Sequence, residues 1–150
     1  ALGLHGRLRD TKREAMALLT LSRCHLLREE YADAYAFAGG ALKRARAAHQ
    51  RTEEALALKE LARVSLAQDG DPEVAARFAS DAAHSFQDIG DWLGEISARH
   101  VLAAAYHQDN LVNMAVDQLK ACLALARSLK EQHRTVATVD AIANIFSKAE

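Results

Sequence analysis

The stretch Gly90-Asp91-Trp92-Leu93-Gly94-Glu95 opens a pattern that recurs about every 40 residues along the chain. Small and apolar residues follow it at fixed positions: Ile96, Ala98, Leu102, Ala103 and Tyr106. The positions that match Glu95, Ile96, Ala98, Leu102 and Ala103 one unit earlier are Glu54, Ala55, Ala57, Leu61 and Ala62. One unit later they are Thr135, Val136, Thr138, Ile142 and Ala143. A further unit starts at Glu14 and Ala15. A fixed period of this length is typical of stacked supersecondary units, so the sequence predicts a repeat protein.

The composition predicts an all-α protein. Half of the residues are hydrophobic, only 5% are aromatic, and alanine is the most frequent residue and the best helix former. The formal net charge of -1 argues against the basic surface that nucleic-acid binding requires. No apolar run reaches the roughly 20 residues of a membrane span, and no signal peptide opens the chain. We therefore expect a cytoplasmic protein that binds neither nucleic acid nor membrane.

The repeat divides the chain into helix pairs. Residues 11–50, 51–90 and 91–130 are predicted to be full repeats. Residues 1–10 are predicted to be the tail of a preceding helix, and residues 131–150 the first helix of a further repeat. We therefore expect the chain to be a piece of a longer array, with exposed ends through which it can self-associate.

Capping signals and small residues place the helices within these units. Thr11-Lys12-Arg13-Glu14 matches a capping box, which predicts a helix start at Thr11. A second helix start is predicted at Asp71, with Asp71 as the N-cap and Pro72 as the first helical residue. Each second helix is predicted to bury a seam of mostly small residues: Ala34, Ala38 and Ala41; Ala75, Ala79 and Ala82; Ala115, Leu119 and Cys122. Gly39-Gly40 lies within the first seam and indicates either close packing, or a bend or the approach of a ligand.

The first helices share the pattern of an apolar residue, a small residue, two variable positions and an aromatic or polar residue. It reads Leu21-Ser22-x-x-His25, Leu61-Ala62-x-x-Ser65, Leu102-Ala103-x-x-Tyr106 and Ile142-Ala143-x-x-Phe146. With the alanine seams, this resembles the tetratricopeptide repeat (TPR), in the 40-residue variety of Pins/LGN-type and kinesin-light-chain-type proteins. The resemblance implies a right-handed superhelical solenoid of antiparallel helix pairs, whose first helices line a concave groove.

The resemblance and the helical phase together place a set of candidate partner-binding residues on that concave face. They are Leu19, Arg23, Leu26, Leu56, Lys59, Arg63, Leu66, His100, His107 and Asn144. Arg23, Lys59 and Arg63 form a basic stripe among leucines, which suits a peptide with acidic and apolar side chains. The alternative is that these are solvated charges without a binding role. Trp92, the only tryptophan, is predicted either to pack on the rim between units or to anchor a partner.

No catalytic, cofactor or metal motif stands out in the sequence. His100 and His107 share a helical face but lack a third ligand in pattern, and His25 is predicted to be a packing residue. Cys24 and Cys122 are predicted to be reduced core thiols. We therefore predict a protein interaction scaffold that is not an enzyme and has no cofactor or metal. The alternative is a regulatory or self-assembly arm of a larger signalling or transcription-regulating protein.

Overall fold

The chain is a stack of antiparallel helices. The computed structural model describes the backbone of residues 3–148 and the side chains of residues 3, 6–133 and 143. This part of the chain forms six α-helices and no strand, as the composition predicts. The helices are α1 (Leu4–Leu27), α2 (Tyr31–Ala47), α3 (Arg51–Ala67), α4 (Pro72–Ile89), α5 (Trp92–Gln108) and α6 (Val112–Lys148). None of the described helices is both long and apolar enough to cross a membrane.

The contacts between helices curve the stack. Each helix packs on the next one along the chain, and in addition α1 contacts α3 and α3 contacts α5. Within the described residues, the second helices α2, α4 and α6 make no such contacts with one another. The first helices are therefore closer together than the second helices, which places α1, α3 and α5 on the inner side of the curve.

Every turn between helices contains a residue in the left-handed conformation. These residues follow one another at intervals of 20 or 21 positions: Glu29, His49, Asp69, Gly90 and Asn110. Only Gly90, with φ of 83°, is a glycine, for which this conformation carries no steric cost. The next amide in each turn donates to a carbonyl of the preceding helix, as Asp91 N does to Phe86 O at 3.0 Å. These bonds satisfy carbonyls that the helix end leaves without a partner.

The predicted helix start at Asp71 is present, and a second aspartate cap lies at Asp91. The Asp71 side chain accepts from Glu73 N at 3.0 Å, and Pro72 occupies the first helical position. The Asp91 side chain accepts from Gly94 N at 3.0 Å, so Asp91 is the N-cap of α5. An aspartate at this position satisfies an unpaired helix amide and complements the helix dipole.

The alanine seams form much of the core. All six predicted alanines of α2 and α4 are fully buried, as predicted: Ala34, Ala38, Ala41, Ala75, Ala79 and Ala82. The side chains of Leu58, Leu61 and Phe86 fill the space between these seams. On α6 the predicted seam is only partly correct, because Ala115 and Cys122 are buried whereas Leu119 is 44% exposed. The prediction for Cys24 is wrong, since this thiol is exposed.

The predicted helix start at Thr11 is wrong. Helix α1 runs without a break from Leu4 to Leu27, and the Thr11 hydroxyl donates to the Arg7 carbonyl one turn earlier. Glu14 pairs with Arg44 of α2 instead of reaching back to close a capping box. No proline lies near this point, and Arg7, Leu8 and Arg9 are good helix formers. Residues 4–10 are therefore part of α1 and not the end of a separate helix.

The predicted break between residues 129 and 132 is also absent. Helix α6 spans Val112–Lys148, 37 residues in one element. The turn after α4 ends with Gly90-Asp91, but forty residues later the chain has Lys130-Glu131, which supplies neither a glycine nor a good N-cap. Ile142 and Phe146, which carry the repeat pattern in this half of α6, have side chains outside the described residues.

The two adjacent glycines of α2 are not required by close packing. A Cβ on Gly39 would meet nothing within 4 Å, and one on Gly40 would lie 3.8 Å from Leu18 Cδ1, an ordinary contact. Helix α2 also continues through both positions from Tyr31 to Ala47. We therefore predict that Gly39→Ala and Gly40→Ala each raise the free energy of unfolding by up to about 1 kcal/mol, the helix-propensity difference. Denaturant melts followed by circular dichroism check this, and a loss of stability would indicate that one glycine has a packing role.

Candidate binding groove

A groove opens on the inner side of the stack, where α1, α3 and α5 meet. Its volume is about 490 Å³. Four of the predicted residues line it: Leu26 from α1, Arg63 and Leu66 from α3, and His100 from α5. Ala67, Val101 and Ala104 complete the lining. The groove is therefore mainly apolar, with one guanidinium and one imidazole among its lining groups.

A buried carboxylate holds the arginines beside this groove. Glu60 is fully buried, and its Oε1 accepts from Arg23 Nε at 2.9 Å and from Arg63 Nη1 at 3.4 Å. About half of each arginine side chain stays exposed, 45% for Arg23 and 49% for Arg63. Both guanidiniums are therefore tethered at one nitrogen, while the rest of each group faces solvent. Since two guanidiniums pair with the one carboxylate of Glu60, they keep an excess of positive charge over it.

Lys59 differs from the two arginines because it is buried. The residue is only 9% exposed, and Nζ donates to Ser97 Oγ of α5 at 3.3 Å. Burial lowers the pKa of Lys59 below its ordinary 10.5, and so do the charges of Arg23 and Arg63, although Glu60 and Asp91 oppose the shift. Lys59 therefore links α3 to α5, and its ammonium group is not part of an open basic stripe.

The predicted exposure of Leu19 is wrong, and that of Leu56 is only partial. Leu19 is 1% exposed and belongs to the core cluster with Leu58 and Leu61. Leu56 is half-buried and packs against the same cluster. Leu19 and Lys59 occupy the same position in successive repeats, and this position faces the neighbouring first helix. Contact between the first helices therefore buries both residues. Part of the surface predicted as concave is therefore used for stacking.

Three further predicted residues lie outside the groove lining. His107 is exposed in the last turn of α5 and does not line the groove. Trp92 is half-buried in a separate hollow, which it shares with Leu129 and Gln132 of α6. Both roles, rim packing and partner anchoring, stay predictions. The side chain of Asn144 lies outside the described residues.

Glu60 was not among the residues predicted from the sequence for this surface. The spacing of charges in the sequence could have indicated its role in an ion cluster. Glu60 adjoins Lys59 and precedes Arg63 by three positions, so its carboxylate can reach cations on the same helix. The ion pair with Arg23 joins residues 37 positions apart and depends on the stacking of α1 on α3. Ala67 and Val101 of the lining were missed for the same reason, because no local pattern marks small apolar residues at a helix junction.

One group of side chains has the chemistry of a metal site. The ligand atoms of His25, Glu30 and Asp33 lie within 4.8 Å of one another. Other contacts account for two of these residues: His25 stacks on Phe37 and bonds to Glu30 Oε2 at 2.5 Å, and Glu30 Oε1 pairs with Arg28. These contacts agree with the packing role predicted for His25. The group gives no ground for assigning a metal, because the hydrogen bond and the ion pair explain its geometry.

Comparison with known proteins identifies the fold. No protein-family model and no curated protein matches this sequence. Among solved structures, the chain is similar to the crystal structure of the TPR domain of Arabidopsis FLU, with a TM-score of 0.72 and 20% sequence identity. The similarity covers 79% of this chain and 98% of the FLU domain. The predicted fold class is confirmed: the chain has the all-α fold of a TPR solenoid.

Proposed function

From the TPR fold and the groove between its first helices, we propose that this chain is a protein interaction module. It binds a peptide segment or a helix of a partner protein in the groove that Leu26, Arg63, Leu66 and His100 line. The partner segment carries an apolar side chain for the groove and acidic side chains for the cations beside it. The chain acts by binding without turnover. Its rigid surface receives a partner segment that becomes ordered on binding.

The observation that carries this proposal is the tethering of Arg23 and Arg63 by the buried Glu60. An arginine held at one nitrogen loses less side-chain entropy when its remaining N–H groups pair with a carboxylate. The two guanidiniums approach one carboxylate from α1 and α3, and Arg63 also lines the groove. The arrangement thus combines fixed donors for carboxylates with an apolar surface, as an acidic and apolar segment requires.

We test the proposal with peptides selected by the protein itself. In a display library of random peptides, the chain is expected to enrich sequences that combine Asp or Glu with Leu or Phe. A labelled selected peptide is then titrated with wild type and with the double variant Arg63→Gln/Leu66→Gln by fluorescence anisotropy. Glutamine at position 63 can still donate a hydrogen bond to Glu60. The variant therefore removes the positive charge at this position without leaving Glu60 without a donor from α3. We expect at least tenfold weaker binding, which corresponds to about 1.4 kcal/mol.

The matched control is Lys43→Gln/Leu8→Gln, which removes the same charge and a leucine from outside the groove. Both residues are exposed and neither lines the groove. This variant is expected to bind the peptide like wild type. Equal affinity for the groove variant and the control would contradict the proposal, as would selected peptides without acidic residues.

Several finer statements remain predictions on sequence grounds. They are the assignment to the 40-residue TPR variety, the cytoplasmic location, the absence of enzymatic activity and the absence of nucleic-acid binding. The turn spacing of 20 or 21 residues gives a pair period of 40 or 41, which supports the first of them. The division into repeats at residues 50 and 90 agrees with the turns at His49 and Gly90, and we propose these two boundaries. The boundary predicted at residue 130 falls within the continuous helix α6.

A further inference from the structure

Helix α6 carries an apolar stripe on its exposed side. Val112, Val116, Leu119 and Leu123 follow one another at spacings of four, three and four, which places them on one face of the helix. Each of these side chains is between 41% and 56% exposed. Within the described residues, α6 contacts α5 and no other helix. The stripe, which we call the α6 face, is therefore uncovered.

The repeat register shows what this face corresponds to in the earlier pairs. Forty residues before Leu119 and Leu123 lie Ala79 and Ala83 of α4, which are 0% and 3% exposed. The equivalent residues of α2, Ala38 and Leu42, are 0% and 8% exposed. Helices α2 and α4 bury these positions in a stack where α2 packs on α3 and α4 on α5. The α6 face is thus the continuation of an established stacking interface.

The same register identifies the segment that fits this face. Forty residues after α5 (Trp92–Gln108) lie residues 132–148, and both stretches are 17 residues long. These residues occupy the register of the next first helix, but they form the second half of α6. A continuous 37-residue helix is about 56 Å long, so its last 17 residues extend away from its own α6 face. While α6 is unbroken, only another chain can supply this segment.

We infer that two copies of this chain associate by exchanging the second halves of α6. Residues 132–148 of each copy pack antiparallel on the α6 face of the other, in the place that α5 takes on α4. Such an exchange forms a closed twofold interface from packing that the repeat already uses. The chain passes from one half to the other at Lys130-Glu131 without a turn, because these residues replace the Gly90-Asp91 pair that ends α4. The inference does not depend on the concave groove.

Analytical ultracentrifugation over a range of concentrations tests the exchange. The wild-type chain of 16.4 kDa is expected to approach twice that mass as its concentration rises. Leu119→Glu/Leu123→Glu places charges on the α6 face and is expected to keep the chain monomeric. Ile142→Glu changes the exchanged segment at the position that matches the buried Leu102, and the same loss of dimer is expected. Leu27→Glu changes an 85% exposed leucine of α1 and is expected to leave the dimer intact.

The outcomes separate exchange from the other arrangements. A wild-type chain that stays monomeric at all concentrations would overturn the inference, including the case in which residues 132–148 fold back on their own α6. A dimer that survives Ile142→Glu would show that the two α6 faces meet directly, without exchange. Circular dichroism of each variant confirms that helix content is retained. Groove variants such as Arg63→Gln/Leu66→Gln are expected to dimerise like wild type. If the dimer inference is wrong, the peptide-binding proposal is therefore unaffected.

Discussion

Phe86→Ala is expected to lower the free energy of unfolding by about 3–5 kcal/mol, the usual cost of deleting a buried phenylalanine ring. Phe86 is the largest of the fully buried side chains in the described part of the chain. It lies at the end of α4 and packs in the core cluster with Leu58 and Ala98, which belong to α3 and α5. Its removal therefore weakens the packing of three helices. Denaturant melts followed by circular dichroism measure the change.

The same ring explains why position 94, in the stretch that opens α5, is a glycine. A Cβ on Gly94 would lie 2.6 Å from Phe86 Cε1 and 2.8 Å from Asp91 Oδ2, closer than real contacts allow. Gly94→Ala is therefore expected to cost about 1–3 kcal/mol through overpacking. In the Phe86→Ala background the ring is gone, so the same substitution should cost much less. Additive effects in this double-mutant cycle would contradict the assigned contact. Gly40→Ala serves as the control and should act alike in both backgrounds.

Lys59→Glu is expected to destabilise the fold by about 3 kcal/mol, because it places a second carboxylate beside the buried Glu60. The substitution also removes the hydrogen bond from Lys59 to Ser97. Lys59→Met keeps a similar side-chain volume without a charge, and we expect it to be neutral or stabilising. Thermal and denaturant melts of the two variants check this. Equal stability of both variants would show that position 59 tolerates charge and is not effectively buried.

The stability of the wild-type protein should also depend on pH through Lys59. Because burial lowers the pKa of Lys59 in the folded chain, the unfolded chain binds more protons between the folded pKa and 10.5. The free energy of unfolding contributed by Lys59 therefore rises as pH increases through this window. Lys59→Met lacks the group, so its stability relative to wild type should be highest at neutral pH and should fall as the pH approaches 10.5. A difference that does not change with pH would contradict the assigned burial.

Local sequence signals predicted the parts of the fold that local interactions determine. Asp71-Pro72 and Gly90-Asp91 contain their own capping groups, so the turns around α4 could be placed from the sequence alone. The alanine seams could be predicted because small residues recur at a helical spacing. The missing breaks near Arg9 and Lys130 could not be predicted from the period. The period indicates where a turn can occur but does not require one. A helix that continues through such a position keeps all of its backbone hydrogen bonds.

The groove was predicted less completely than the fold, because it depends on how the first helices stack. On α1, Leu18, Leu19 and Leu21 give two different helical faces an apolar character, so periodicity does not select one. The structure buries Leu19 and leaves Leu21 43% exposed. The burial of Lys59 could not be predicted from the sequence either. A lysine is ordinarily exposed, and the burial of this one follows from the approach of α5. Leu26, Arg63, Leu66 and His100 were predicted to share one surface, and the structure brings them together.

Amide chemical-shift mapping by NMR locates a bound peptide and so tests whether the inner groove is the binding site. A selected acidic peptide is titrated onto the isotope-labelled chain, and the shifted amides are located on the helices. If the peptide binds in the groove, we expect the largest shifts at the C-terminal half of α3 and the middle of α5, around Leu66 and His100, with smaller shifts near Leu26. Shifts concentrated on α2 and α4, or around Trp92, would contradict it and place the binding site outside the groove.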